Sequence, residues 1–489
     1  MTYTTRNIRV NPYNTAEHPS MKKTFISLVI GLTLSSSAFA DDLATVYELA
    51  QANDPIVNRA KAQKDAAYEG IDISRANLLP QITGSISYSD GTRETEINQP
   101  VFDANNNPVV DENGGRVVIN AIAEVETTGI NYGIDLNMSL YDHANWLGMD
   151  RAELIAQQSD AVLGATLQSL MLRTVNAYLA VLREQDNVEF VKAELEAIER
   201  QLEQTKQRFE VGLTAITDVH EAQANFDNTV ARQIRAENLL EERLEQLREI
   251  TGKYHDQIAV LDTQIFTAVQ PDPSTASAWL DLAKESNLNL LAQRFLKDVA
   301  KEEIALAKSG HYPTLRFGAS FDVNDSETVF NGGQASQPGA LNRSSIGLTL
   351  NIPIYQGGRV SASTRQARAN YVIASENLEL TYRQMVRQVR SSFNDVNASI
   401  ATIRALEQSV VSANSALQAT EAGFDVGTRT IVDVLNSTRN LFDARRNLAD
   451  ARYNFIAAIV SLKEASGTLT QQDLMDINRV LKPAPAAQS

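Results

Sequence analysis

Five histidines, no cysteine and a large excess of carboxylates make up the reactive inventory of this 489-residue chain. His18, His143, His220, His255 and His311 stand far apart without metal-ligand spacing, so imidazole coordination has no pattern to rest on. The lack of cysteine excludes thiol catalysis, thiolate metal sites, disulfides and a lipid-anchored N-terminal cysteine. Gly332-Gly333 and Gly357-Gly358 lack the strand, helix and lysine that a phosphate cradle needs. The carboxylates fall on helix faces beside Arg or Lys, the pattern of a solvated surface. Catalysis and cofactor chemistry therefore have no residues to carry them. What remains is charge chemistry next to two glycine turns. One turn is Val211, Gly212, Leu213, Thr214 and Ala215, with Asp218 following; the other is Val426, Gly427, Thr428, Arg429 and Thr430, with Asp433 following. A guanidinium such as Arg429 can fork to a carboxylate such as Asp218, although spacing alone describes only a solvated pair worth about 0–1 kcal/mol. Asp433 also suits the positive end of a helix dipole.

These turns recur because the architecture recurs. Shifting the sequence by 215 residues places Phe209, Val211 and Gly212 on Phe424, Val426 and Gly427, and Asp218, Val219 and Gly252 on Asp433, Val434 and Gly467. Such duplication suits an array or closed ring of units that cannot bury their apolar faces alone. Residues 146–209 and 360–424 contain no proline, and each stretch reaches about 95 Å as an unbroken helix. Val188, Val191, Leu195, Ile198, Leu202, Thr205 and Phe209 follow a three-four alternation, which Ile403, Leu406, Val410, Ala413, Leu417, Thr420 and Phe424 repeat. Shorter helical stretches at 43–78 and 216–252, and again at 275–308 and 431–466, sum to the length of each long partner and are expected to stack end to end beside it.

Strands of about ten residues are expected at 81–90 and 129–141, and at 314–323 and 344–355, with apolar and polar or small residues alternating. They suit a lipid-facing outside and a wet inside, while a small soluble hairpin domain has the same periodicity. Residues 91–126 and 324–343 read as polar exposed loops. The expected organisation is a first repeat at 41–252 with its strand pair at 81–141, an equatorial segment at 253–274, a second repeat at 275–467 with its strand pair at 314–355, and an equatorial segment with a loose tail at 468–489. Residues 21–40 read as a secretory signal cleaved between Ala40 and Asp41, and residues 1–20 as a start-site artefact. Removing residues 1–40 leaves 40 bases against 59 acids, a net charge near −19 that argues against nucleic acid as a partner. No apolar run long enough for a transmembrane helix follows the signal, so a membrane-spanning form must be a β-barrel.

Over essentially the whole mature length the chain resembles the TolC-type outer membrane efflux protein, or channel-tunnel, family. The most specific segments are Pro353-Ile-Tyr-Gln-Gly-Gly358 and Val426-Gly-Thr-Arg-Thr-Ile-Val-Asp-Val-Leu435. Supporting segments are Leu78-Leu-Pro-Gln81, Arg208-Phe209, Val211-Gly-Leu213, Ala215-Ile-Thr-Asp-Val219 and Arg390-Ser-Ser-Phe-Asn394. The resemblance implies a mixed, mainly α fold: a homotrimer whose twelve-stranded transmembrane β-barrel in outer-membrane lipid continues into a twelve-helix periplasmic tunnel. It implies an exit duct for multidrug efflux and type I secretion. The partners implied are a periplasmic adaptor (membrane fusion protein) and an inner-membrane efflux transporter or ABC exporter, with the two turns as adaptor-contact tip.

The resemblance further implies a gate held closed by hydrogen bonds and salt bridges at Gln201, Thr217, Asp218, Glu421, Phe424 and Arg429. It implies a constriction at Asp433 and Asn436. Two residues depart from the family pattern. Phe424 replaces a tyrosine and cannot donate a hydrogen bond, and Asn436 replaces the second constricting aspartate. A trimer would then present three carboxylates rather than six. The competing class is a soluble periplasmic coiled-coil adaptor, which would carry one hairpin with β domains around it rather than two hairpins with isolated strand pairs.

Overall fold

The computed structural model describes residues 41–330, 335–336 and 340–483. The expected leader, the Ala40 side of the cleavage site and residues 484–489 of the tail lie outside the described residues. The element order is α1 (Leu43–Asn53), α2 (Pro55–Ala76), β1 (Gln81–Pro100), β2 (Val118–Tyr141), α3 (His143–Glu210), α4 (Ile216–Thr251), β3 (Val260–Leu261), α5 (Ala276–Ser286) and α6 (Leu288–Ser309), then β4 (Thr314–Phe330), β5 (Ala335–Ser336), β6 (Leu341–Asn351), α7 (Arg359–Asp425), α8 (Ile431–Ala465), α9 (Gln471–Asn478) and β7 (Leu481–Lys482).

The two long helices, α3 with 68 residues and α7 with 67, run unbroken. The stretches 43–78 and 275–308 do not: each splits into two helices at a single residue. Asp54 donates its amide to Ala50 to end α1, and its carboxylate caps α2 at Val57, with Pro55 in the first turn. Proline lacks an amide donor and biases the preceding residue away from the helical region, which explains the break. Asn287 performs the same two tasks between Ala283 and Leu290 without a proline. Each break is seated on a distant element: Asp54 takes both guanidinium nitrogens of Arg173 at 2.9 and 3.2 Å, and Asn287 donates to the Ala465 carbonyl at 2.9 Å.

Toward the strands the helices pack in the order α2, α3, α6, α7; toward the glycine turns the order is α4, α3, α8, α7. The result is a four-helix wall at each level. The core lies halfway along α3, where Leu170, Val175, Tyr178 and Leu182 meet Leu43 and Val46 of α1, Tyr453 and Val460 of α8, and Leu261, Leu469 and Leu474 from the intervening segments. There β3 pairs with β7, and Asn53 of α1 donates to Thr251 at the end of α4. Between α3 and α4, the unexposed Glu194 receives Arg232 at 2.9 and 2.7 Å.

The sheet is antiparallel in the order β1-β2-β4-β6, with the short β5 pairing antiparallel with the end of β4. One face carries the registered rows Ile82–Leu136–Ala319–Ile346, Gly84–Ile134–Phe321–Ser344 and Ile86–Tyr132–Val323–Asn342. Large apolar side chains on this face lie open, among them Ile86 at 78% and Ile346 at 80% exposure. The other face carries Ser85, Asn131, Asp322 and Ser345, with the Ser320 and Ser345 hydroxyls 2.9 Å apart.

The strands continue past the expected ten residues, through much of the segment read as loops. β1 has 20 residues and β2 has 24, in one unbroken register. Beyond Tyr88–Ile130–Asp325 the formerly apolar face becomes acidic, with Asp90–Thr128–Glu327, Thr92–Glu126–Val329 and the directly opposed Glu94 and Glu124. Main-chain pairing sustains this ribbon after the apolar alternation has ended.

Candidate gate at the helical turns

Both long helices end in the same way. The Gly212 amide donates to Phe209 and the Leu213 amide to Arg208; the Gly427 amide donates to Phe424 and the Thr428 amide to Gly423. Gly212 and Gly427 hold φ of 77° and 79°, the left-handed conformation that caps a helix C-terminus at little cost only for glycine.

The following helices start differently. Thr430 and Asp433 form a reciprocal capping box on α8: the Asp433 carboxylate accepts the Thr430 amide at 2.9 Å and its hydroxyl at 2.9 Å. On α4 the corresponding position is Ala215, which has no side-chain cap, and the Thr214 hydroxyl donates to Asp218 instead.

The Thr430 amide and hydroxyl, with a smaller contribution from Arg429, hold the Asp433 carboxyl below the usual carboxylate range. Both of these bonds reach its Oδ2, while the Asp433 amide donates to the Thr430 hydroxyl at 3.3 Å.

Among the described residues of one chain, no side-chain hydrogen bond or ion pair joins any two of Gln201, Thr217, Asp218, Glu421, Phe424 and Arg429. Asp218 is engaged by Thr214, and Gln201 leaves a buried Nε2 without a partner. Thr217, Glu421, Arg429 and Asn436 are exposed. Val211, Leu213 and Val426 project from the turns at 69, 72 and 75% exposure. Phe424 is placed differently: its ring is half-buried against Ile198, Ile431 and Leu435, with Phe226 nearby.

Above that ring, 4.5 Å from its centroid, lies the guanidinium of Arg208, which also reaches the Asp425 carboxylate at 3.6 Å and the Asp425 carbonyl at 3.5 Å. Sequence reasoning noticed Arg208 only as part of a motif. Its partner belongs to the other repeat, more than 200 residues away, so no local spacing could have identified the contact.

A family model described as outer membrane efflux protein matches residues 46–253 and 279–468. The chain is 45% identical over 462 residues to outer membrane protein TolC of Vibrio cholerae serotype O1, covering 94% of this chain and 98% of that protein. It is 29% identical to the proteases secretion protein PrtF of Dickeya chrysanthemi, covering 95% of this chain and 96% of that one. Among solved structures, outer membrane protein VceC of Vibrio cholerae aligns with a TM-score of 0.66 at 18% identity, covering 87% of this chain and 96% of that one, a likeness of fold.

Proposed function

The chain belongs to the outer membrane efflux protein family, and from that membership we propose that three copies close edge to edge into one twelve-stranded barrel continuous with one twelve-helix tunnel. The protein resides in the outer membrane of a Gram-negative bacterium and serves there as an efflux and type I secretion channel. The soluble coiled-coil adaptor alternative finds no support among these relatives.

The observation that carries the closure is that the sheet and the helical wall are open at the same two ends. Among the described residues, β1 and β6 each have one edge without a strand partner. The wall likewise ends at α2 and α4 on one side and at α7 on the other. On α7, Val372, Ile373, Leu380 and Val411 remain more than half exposed. Lipid tolerates no open sheet edge, so a sheet with an exposed apolar face and two free edges needs more copies of itself. With about 10 Å between helix axes, twelve helices enclose a lumen of roughly 25–30 Å, wide enough for drugs and unfolded polypeptide.

At the turns, closure brings α7 and α8 of one copy beside α4 of the next. Arg429 then reaches Asp218 of the neighbouring copy, and Gln201, Thr217 and Glu421 complete the ties. Asp433 forms the constriction, with three carboxylates because Asn436 adds none. The turn residues Val211 to Ala215 and Val426 to Thr430 receive a periplasmic adaptor hairpin by helix-in-groove packing. An inner-membrane efflux transporter or ABC exporter supplies the energy.

The native chain has no cysteine, so closure can be tested on a clean background. Cysteines are introduced at Ser85 or Ser87 on β1 in combination with Ser345, Gly347 or Thr349 on β6, and the purified protein is oxidised. At least one pair is expected to link copies into a covalent trimer. Only monomers across the whole set, from protein that remains water-soluble without detergent, would contradict closure.

A further inference from the structure

We infer that Arg208 is a positioning residue of the gate: its guanidinium, stacked on Phe424 and paired with Asp425, clamps the first helical hairpin to the second within each copy. This rests on reading the turns as the gate.

One residue fastens two turns. The Arg208 carbonyl accepts the Leu213 amide and so helps close the first turn, while its side chain reaches the last turn of α7. There it meets an aromatic face, a carboxylate and the Asp425 carbonyl, where a positive group also complements the negative end of the α7 dipole. Phe424 is seated from below by Ile198, Ile431 and Leu435, so the ring is a fixed platform rather than a swinging side chain.

The internal repeat shows that this clamp is one-sided. Under the 215-residue shift Phe424 corresponds to Phe209, whereas Arg208 corresponds to Gly423. Gly423 offers no guanidinium, and the space beside it is taken by Arg429: a Cβ built at Gly423 would lie 2.7 Å from Arg429 Cγ. Phe209 in turn lies open, at 41% exposure. In a closed ring the hairpin contacts alternate between those within a copy and those between copies. The clamp therefore exists at every second contact, and Arg429 is left free to act at the others. Opening then separates copies from one another while each copy's two hairpins hold together, until the clamp is also released.

The test is the single-channel current of the full-length mature protein in planar bilayers, comparing wild type, Arg208→Gln, Arg208→Lys, Phe424→Leu, the Arg208→Gln/Phe424→Leu double variant and Arg429→Ala, with the trimer's melting temperature followed in parallel. A stack of this exposure corresponds to roughly threefold in opening per copy, and about 30-fold if three copies act together. Arg208→Gln and Phe424→Leu are each expected to raise open probability to that degree with little change in melting. The double variant should open no more than either single one, and Arg208→Lys should fall between. Opening by Arg429→Ala but not by the Arg208 or Phe424 variants would overturn the clamp and leave the gate standing. Additive effects of Arg208→Gln and Phe424→Leu would overturn the stack. No effect from any of these variants, Arg429→Ala included, would overturn the gate reading and the clamp with it.

Discussion

Asp186 lies where α3 crosses α8, in a cleft of about 460 Å³, and accepts the Tyr453 hydroxyl at 2.6 Å. Burial pushes its carboxyl up to about 6, against the Tyr453 hydrogen bond, with Glu189 and Asp450 adding to the rise and Arg452 opposing it. Arg183, Arg445, Arg446, Lys482 and Asp262 also lie around this crossing, Arg183 pairing with Asp450 at 3.1 Å and Lys482 with Asp262 at 3.6 Å. A carboxyl raised in the folded state binds its proton more tightly there than in the unfolded chain. Its contribution is therefore fully present below the unfolded value near 3.8 and is lost as pH rises through about 6. Asp186→Asn keeps an acceptor for Tyr453 and removes the titration. Between pH 5 and 7 its stability should vary less than wild type, by about 1 kcal/mol, when melting is followed by circular dichroism. Identical pH slopes in the two proteins would show that Asp186 titrates normally. None of this was legible in the sequence, because Asp186 is one acid among many on a helix and its partners arrive from α8. Asp433, by contrast, could be read as an acid at the positive end of a helix dipole, although its capping pair with Thr430 emerged only in the structure.

At the scale of elements, what could be read followed from local rules and what could not depended on distant partners. The proline-free runs marked α3 and α7, and Gly212 and Gly427 marked their ends. The alternating parts of the strands, such as Ile82 to Tyr88, announced themselves by their period. The continuation of β1 and β2 did not, because residues such as Glu94 and Glu124 pair through the main chain and carry no apolar pattern. The break at Asp54 could be seen in Pro55, whereas that at Asn287 depends on a side chain bonded to Ala465 across the fold. The repeat also separates two glycines that look equivalent. Gly252 and Gly467 share φ of 73° and 74°, yet a Cβ at Gly252 would meet only Asn53 at 3.5 Å, while one at Gly467 would lie 2.3 Å from the Ser286 carbonyl oxygen. Gly252→Ala should therefore cost about 1 kcal/mol of left-handed strain, and Gly467→Ala at least about 2 kcal/mol more through backbone displacement. Denaturant unfolding of the two variants checks the order, and equal losses would mean that the contact at Ser286 relaxes freely.

For the whole molecule, duplication, open edges and the position of the charged turns point to one account. A chain with four long strands and two helical hairpins has the form of one segment of a wall, and in the proposed trimer that wall surrounds a passive duct gated where the helices turn. In that proposed assembly twelve strands would set the size of the exit, and the carboxylates left by Asp433 in the presence of Asn436 would set the charge at the entrance. The most direct test is the ion selectivity of single channels formed by the purified mature protein, measured as reversal potential across a salt gradient. The account predicts discrete, cation-favouring openings, loss of that preference in Asp433→Ala and a stronger preference in Asn436→Asp. Channels whose reversal potential is the same in all three proteins would contradict it, placing the constriction somewhere other than these turns.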